Sequence, residues 1–463
     1  MNPILMLVII FGMMLIVMFL GTPVFTSMGI TALITMLIWM GANRVAQFGV
    51  ISYTQGVGFN QIIAPMFIMM SEFLSQGHIA EDIYSVLNHS IGKVKGGLAI
   101  ATTLTCTVFA ALCGSSPATA ASIGRISIAE MEKRGYDPGL AVGTVAAGGT
   151  LGIMIPPSIT FCLYGIITET SIVQLFMAGI IPGLTLAALI IIYILIVGTI
   201  KPEMVGHKRG GKKLAEMDMA EAKEIIDAAK EQAGVSTKGN ASINHDEKGP
   251  GFLTILPALI LIVIVLGSMY LGLATPMEAA GYGVVGSFLI VICQRRMTKK
   301  IFTNAMLNTA RTGTMMVFLI ICGTSMSFCI SYLGISQTIA TALVSSGLSK
   351  VGLLILVYAL WFILGCLMDP ASMLILTIPF LFQTLKDFGC DPLWLGVVSV
   401  LAAQIAMITP PVGMNLFVLK ANSDVPMGTI MKGCVPYVIV LFIGLAILTV
   451  FPILSTWLPG KMF

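Results

Sequence analysis

Apolar residues run in stretches of about twenty along most of the chain. Neither the alternation of a half-buried strand nor the narrow stripe of a surface helix prevails. A bilayer core takes about 20 apolar residues per helix, and segments of that scale lie at 3–20, 24–41, 96–113, 172–200, 252–273, 277–294, 303–333, 351–368 and 435–458. Three further apolar stretches, 139–170, 371–385 and 392–423, are too short or too interrupted to cross simply. The segment 79–95 is amphipathic and is expected to lie along an interface, with His78 and His89 on its polar side. One hydrophilic island, 201–250, divides the chain. Its centre, AEMDMAEAKEIIDAAKEQAG, pairs Glu and Lys at helical spacing and predicts one surface helix, serving as a linker or as a docking element.

Composition then fixes the solvent. Of the 463 residues, 57% are hydrophobic and only 10% are charged. A soluble chain carries about a quarter charged residues, so lipid must cover most of this one. The net charge of +4 is concentrated in a few loops. It bears on orientation in the bilayer and gives no nucleic-acid footprint. The nine cysteines form no CxxC pair and no Cys/His metal spacing, and they read, with the 31 methionines, as packing residues. The apolar N-terminus lacks a basic leader region and a small-residue cleavage site, and reads as a retained span.

The two halves share landmarks at nearly constant offset. Thr22-Pro23 recurs as Thr275-Pro276, Pro156-Pro157 as Pro410-Pro411, and Gly179 and Pro182 as Gly433 and Pro436. Such register marks an internal repeat: a first repeat at 1–200, the linker 201–250, and a second repeat at 251–463. Loop charge indicates that the repeats are inverted. The loop after the second span holds only Arg44, whereas its counterpart holds Arg295, Arg296, Lys299 and Lys300. Basic loops stay in the cytoplasm, so equivalent loops face opposite sides. The expected fold is therefore an all-α polytopic membrane protein of two inverted repeats with interrupted helices and two helical hairpins. Secondary transporters are built this way, with the site near the midplane.

Four breaks carry the candidate chemistry: Gly114-Ser115-Ser116-Pro117, GGTLGIMIPPS at 148–158, the segment from Gly365 through Asp369-Pro370 to Ser372, and AMITPPVGMN at 406–415. Pro-Pro removes two backbone donors and stops a helix. Non-helical backbone at membrane depth is tolerated only where it lines a cavity or is buried in protein. Freed carbonyls, with the hydroxyls of Ser115, Ser116, Ser158 and Thr409, make a neutral-oxygen set that suits Na⁺ better than Mg²⁺ or Ca²⁺. Helix N-termini at the same breaks favour an anionic group. Asp369 is placed to neutralise a cation, to take part in proton coupling, or to cap the following helix. Arg125 is placed to meet an anionic substrate or to snorkel toward the cytoplasm. There is no Walker loop, HExxH or GxSxG, so neither ATP hydrolysis nor another enzymatic activity is indicated.

At these breaks the chain resembles the large membrane subunit of the tripartite ATP-independent periplasmic (TRAP) transporters. The resemblance rests on FAALCGSSPATAASIG at 109–124, EKRGYDPGLAVGTVAAGGTLGIMIPPSI at 132–159, YGIITETSIVQLFMAGIIPG at 164–183, ATPMEAAGYG at 274–283, GCLMDPASMLILTIP at 365–379, ITPPVGMNLF at 408–417 and FPILSTWLP at 451–459. It implies a sodium-driven importer of the bacterial inner membrane that works by an elevator motion of a transport domain against a scaffold. It also implies a small membrane subunit, a periplasmic substrate-binding protein, and a carboxylate-bearing substrate such as a four-carbon dicarboxylate or sialic acid. Carried over by motif, one sodium site takes Ser115, Ser116, Gly152, Ile155 and Pro157, and the other takes Gly365, Ala406, Thr409 and Val412. Arg125, Ser158, Asp369 and Asn415 are the substrate-binding candidates. The sequence departs from the expected pattern in its long island, and in Ala406 and Pro117, where glycine and a small residue are expected. A self-sufficient symporter or antiporter of related architecture is the competing reading.

Inversion has a direct test. Single cysteines replacing Arg44 and Arg295 are expected to react with an impermeant thiol reagent from opposite sides of sealed vesicles; labelling from one side refutes it.

Overall fold

The computed structural model describes residues 3–92, 94–206, 252–345 and 349–462. Among them the chain is helical almost throughout, and the single strand-like pairing is a bridge between Tyr136 and Val205. The helix predicted at the centre of the island lies outside the described residues. The first half contains α1 (Pro3–Phe19), α2 (Val24–Thr35), α3 (Val45–Gly56), α4 (Ile63–Gln76), α5 (Ile79–Ile91), α6 (Gly97–Cys113), α7 (Ser116–Lys133), α8 (Pro138–Met154), α9 (Ile159–Thr168) and α10 (Ile172–Ile200). The second contains α11 (Leu256–Tyr270), α12 (Pro276–Cys293), α13 (Lys299–Tyr332), α14 (Ile335–Ser345), α15 (Lys350–Leu367), α16 (Pro370–Asp387), α17 (Pro392–Met407), α18 (Met414–Asn422) and α19 (Met427–Val450).

Local signals explain where the helices begin. Asp137 accepts from Leu140 N at 3.0 Å and is followed by Pro138 in the first turn of α8. At the same repeat position Asp391 accepts from Leu393 N and Trp394 N, with Pro392 opening α17. A side-chain acceptor before a proline satisfies an orphan donor and presets the first turn. Thr275 and Glu278 close a full capping box at the start of α12. The outer faces obey the membrane pattern. On α10, Leu184, Ile192, Leu195 and Ile196 are exposed while Leu186, Ile190 and Ile194 are buried. An outside as apolar as the inside is stable only against lipid.

Among the described residues five helices are long and apolar enough to cross a membrane by themselves. Two bent pairs add to them: residues 42–56 with 59–76 at 63°, and Pro138–Met154 with Ile159–Thr168 at 41°. Three sequence expectations change. The last long span is Met427–Val450, so it begins and ends about eight residues before the predicted 435–458, with Pro436 inside the helix. The stretch 371–385 is not interrupted but belongs to the continuous helix α16, which accommodates Pro379. The bent pair α3 and α4 was not anticipated at all, because Gly56, Gly58, Asn60, Gln61 and Glu72 break the apolar run.

The halves interlock. α2 packs on α13 while its counterpart α12 packs on α4; α7 packs on α18 while α16 packs on α9; α8 packs on α19 while α17 packs on α10. Each contact is matched by the one with repeat identities exchanged, as a pseudo-two-fold relation requires. Small residues allow the closest approach: a Cβ at Gly433 on α19 would lie 2.2 Å from the carbonyl oxygen of Gly139 on α8. Beside it Thr144 and Tyr437 share a 2.6 Å hydroxyl contact.

One ion pair ties the halves at their edge. Arg296, before α13, donates to both carboxylate oxygens of Asp82 on α5, at 2.8 and 2.9 Å, and also to the Gly77 carbonyl at 2.8 Å. Asp82 is buried and Arg296 is partly so. Arg296→Ala is expected to cost about 3 kcal/mol by leaving that carboxylate unpaired, read as a lowered midpoint of thermal unfolding in detergent. Asp82→Asn combined with Arg296→Met should recover part of it; an unchanged midpoint in the single variant rejects the clamp.

Candidate functional site

Two helix-break-helix arms approach each other inside the helical body. In the first half, α6 ends at Cys113, Gly114 takes a left-handed turn at φ 62°, and extended Ser115 precedes α7. A Cβ at Gly114 would lie 2.7 Å from the carbonyl oxygen of Pro157, so the first break sits directly on the first Pro-Pro break. Gly152 makes the second contact between them: a Cβ there would lie 2.6 Å from Thr119 Oγ1 and 2.8 Å from the Ser115 carbonyl oxygen. Ser158 is fully buried and caps α9, accepting from Phe161 N at 3.3 Å. The structure thus gathers Ser115, Ser116, Gly152, Ile155, Pro157 and Ser158 around two abutting breaks.

In the second half the interruption is narrower than expected. α15 runs through Gly365 to Leu367, and the break is confined to Met368 and Asp369. Gly365 serves close packing, since a Cβ there would lie 2.7 Å from the Cβ of Ala406. Its carbonyl belongs to the last turn of α15, where the helix supplies no further donor. Beyond α17 the chain turns tightly. Thr409 Oγ1 donates to the Ile405 carbonyl at 2.6 Å, Thr409 N donates to the Ala406 carbonyl at 3.1 Å, and Gly413 N donates to the Thr409 carbonyl at 3.1 Å. Gly365, Ala406 and Thr409 are therefore neighbours, while the Val412 side chain is exposed. The Thr409 proton is committed to Ile405, which leaves a hydroxyl lone pair to accept.

Asp369 adopts the capping geometry. One carboxylate oxygen accepts from Ser372 N at 3.1 Å and the other from the Ser372 hydroxyl. It occupies the repeat position of Ser115, and both stand before the first residue of a helix, α16 and α7.

At the breaks the two halves meet through a buried polar contact. Asn415, on the first turn of α18, donates from Nδ2 to Ser116 Oγ at 2.7 Å. Both residues are fully buried, and Asn415 Oδ1 has no hydrogen-bond partner among the described residues. The repeat-related pair is Phe161 and Pro370, which is apolar. Arg125 is not part of this cluster. It is exposed on α7, nine residues or about 14 Å along the axis from Ser116.

Among the described residues no group of three or more His, Cys, Asp or Glu is placed to hold a metal. Apart from the Asp369 carboxylate, which is engaged by Ser372, the oxygens at these breaks are backbone carbonyls and hydroxyls, a set that fits an alkali cation. Two polar features went unread in the sequence. Gln404, on α17 one turn before Ile408, is fully buried with both amide atoms unpartnered. Glu72, on α4, accepts from Asn308 Nδ2 at 2.9 Å. Gln404 is a lone amide in an apolar run and Glu72 an ionisable residue within a predominantly apolar helix, and these are the signals that mark them.

Residues 11–454 match the family described as "Tripartite ATP-independent periplasmic transporter, DctM component". The chain is 33% identical to the C4-dicarboxylate TRAP transporter large permease protein of Vibrio cholerae, over 98% of this chain and 97% of that one. It is 32% identical to the Pseudomonas aeruginosa protein of the same name, over 94% of each chain. Among solved structures it resembles the Alcanivorax borkumensis YdaH transporter, with a TM-score of 0.57 and 15% identity over 91% of this chain and 90% of that one. That likeness bears on the fold alone: an all-α polytopic membrane protein.

The contact at Gly152 makes a prediction. Gly152→Ala forces a Cβ against Thr119 and the Ser115 carbonyl, and is expected to cost about 1–3 kcal/mol by overpacking. Ala406→Gly, at the equivalent place in the second half, should be milder. Equal thermal shifts for the two variants contradict the asymmetry.

Proposed function

Because the chain belongs to the DctM component of the tripartite ATP-independent periplasmic transporters, membrane permeases and not enzymes, we propose that it imports a small carboxylate-bearing solute across the bacterial inner membrane, driven by Na⁺. Its repeats, 1–200 and 251–463, are joined by a cytoplasmic linker at 201–250. A periplasmic binding protein delivers the solute and a small membrane subunit completes the permease. The cation-bearing breaks move as part of a transport domain that slides against a scaffold, the elevator motion.

The observation that carries this reading is the Ser116–Asn415 contact at the abutting breaks. Ser116 Oγ accepts from Asn415 at 2.7 Å, so its own proton is free to donate to a carboxylate. It keeps a second lone pair, and at the first break, where it opens α7, Ser115, Gly152, Ile155 and Pro157 supply the other oxygens for Na⁺. One hydroxyl would touch both ion and substrate, which is a physical route to coupling: filling either site orients the oxygen for the other. The N-terminus of α7 adds backbone donors that favour an anion at the same spot. Gly365, Ala406, Thr409 and Val412 form the second cation site through carbonyls and the Thr409 hydroxyl. Ser158 and Asp369 shape the helix starts beside the substrate. Arg125, away from the cluster, acts on the anion only along its exit path. A four-carbon dicarboxylate is the first substrate to try, since both relatives described above carry that name.

Reconstitution tests this. Uptake into proteoliposomes is expected to need the small subunit, the binding protein and an inward Na⁺ gradient together; uptake by this chain alone overturns the tripartite reading in favour of a self-sufficient symporter. Thr409→Val should raise the Na⁺ concentration for half-maximal uptake about tenfold with little change in thermal midpoint, because it removes one oxygen ligand and one local hydrogen bond. An unchanged sodium titration removes Thr409 from the site.

A further inference from the structure

On the outer side of the second half, α15, α17 and α19 leave a groove of about 470 Å³ between them. Its hollow comes from three alanines, Ala359, Ala402 and Ala446, at positions whose helical neighbours are mostly Ile, Leu and Phe. Ile405 lines it, and Phe362 and Phe442 approach with ring centroids 5.6 Å apart. The surrounding surface is exposed and apolar, with Ile355, Ile363, Ile439, Ile443 and Val450 all accessible. In a membrane-spanning chain that surface faces hydrocarbon, so the groove opens onto lipid and not onto water.

The polar atoms of the groove say which part of a lipid it takes. Tyr358 and Thr449 share a hydroxyl contact at 3.0 Å, and Thr449 Oγ1 donates to the Leu445 carbonyl at 2.7 Å. The Thr449 proton is thereby used, so the Tyr358 proton goes to Thr449. The pair presents no free donor to a phosphate or an ester carbonyl. We propose that this groove is a binding site for a single phospholipid acyl chain, selected by shape and apolarity and indifferent to the headgroup. A volume in the range of ordinary ligand cavities suits one chain, and close van der Waals packing of successive methylenes against the groove walls supplies the affinity.

The position gives the site a consequence. Ile405 contributes to the groove wall, and its carbonyl accepts the Thr409 hydroxyl at 2.6 Å. A seated chain braces the arm that ends in the second Pro-Pro break. This holds whether or not Thr409 ligates a cation, so the present inference and the proposed transport mechanism fail independently.

Native mass spectrometry of the full-length chain in mild detergent tests it, with dipalmitoyl phosphatidylglycerol and dipalmitoyl phosphatidylethanolamine as probes. Ala359 and Ala446 are exposed, so Ala446→Trp and Ala359→Trp fill the groove without entering the core. Each variant is expected to lose at least half of the first lipid adduct while keeping its elution profile and thermal midpoint. The wild type should take the two headgroups equally. Dioctanoyl versions should give a smaller first adduct, since a shorter chain leaves part of the groove unfilled and forfeits its van der Waals contacts. Adducts unchanged in both tryptophan variants overturn the site. A preference for one headgroup overturns the acyl-chain assignment, and photo-crosslinking from position 446 to a polypeptide instead of lipid shows that a helix occupies the groove.

Discussion

Hydrocarbon offers no hydrogen bonds, and that constraint governs this architecture. Every backbone donor and acceptor at membrane depth must find a partner in the protein. Long helices meet the demand alone. The four interruptions do not, and each is covered by another: Gly114 lies on Pro157, and Ala406 lies on Gly365. The breaks are therefore stable only as mutually covered sets. The same covering brings carbonyl oxygens and helix ends together in one place, so the solution to a solvation problem also gathers polar atoms inside an apolar body.

Most of this was legible because lipid simplifies the code. Uniform apolarity over twenty residues marks a span, and Pro-Pro marks a break, whatever the tertiary contacts. The repeat was readable from four proline landmarks because proline's geometric demand survives drift of the surrounding side chains. What escaped notice was what depends on partners. The pair α3 and α4 has a polar bend at Gly58–Gln61 and hides as a run of mixed character. The Asp82–Arg296 clamp joins residues in different halves, and Arg296 looked like one more basic loop residue. Gly365 reads in sequence as part of a break, although its missing side chain serves packing against Ala406. At the site, hydroxyls and glycines stood out by type, but that Asn415 reaches Ser116 while Arg125 stays apart is a fact of packing that no spacing encodes.

The two halves match in scaffold and differ in chemistry. Ser115 is answered by Asp369, Thr150 by Gln404, Gly152 by Ala406, and the buried polar pair Ser116–Asn415 by the apolar pair Phe161–Pro370. Helix starts, by contrast, repeat closely, as Asp137-Pro138 and Asp391-Pro392 do. Residues that set backbone direction have been kept twice. Residues that face the shared interior differ between the halves.

The reciprocal packing of α2 on α13 and of α12 on α4 makes completion of the interior a late event in synthesis. α2 and α12 each pack most extensively on a helix of the other half, so the first half leaves the ribosome with one packing face still uncovered. That face stays against lipid until the second half has followed it into the bilayer.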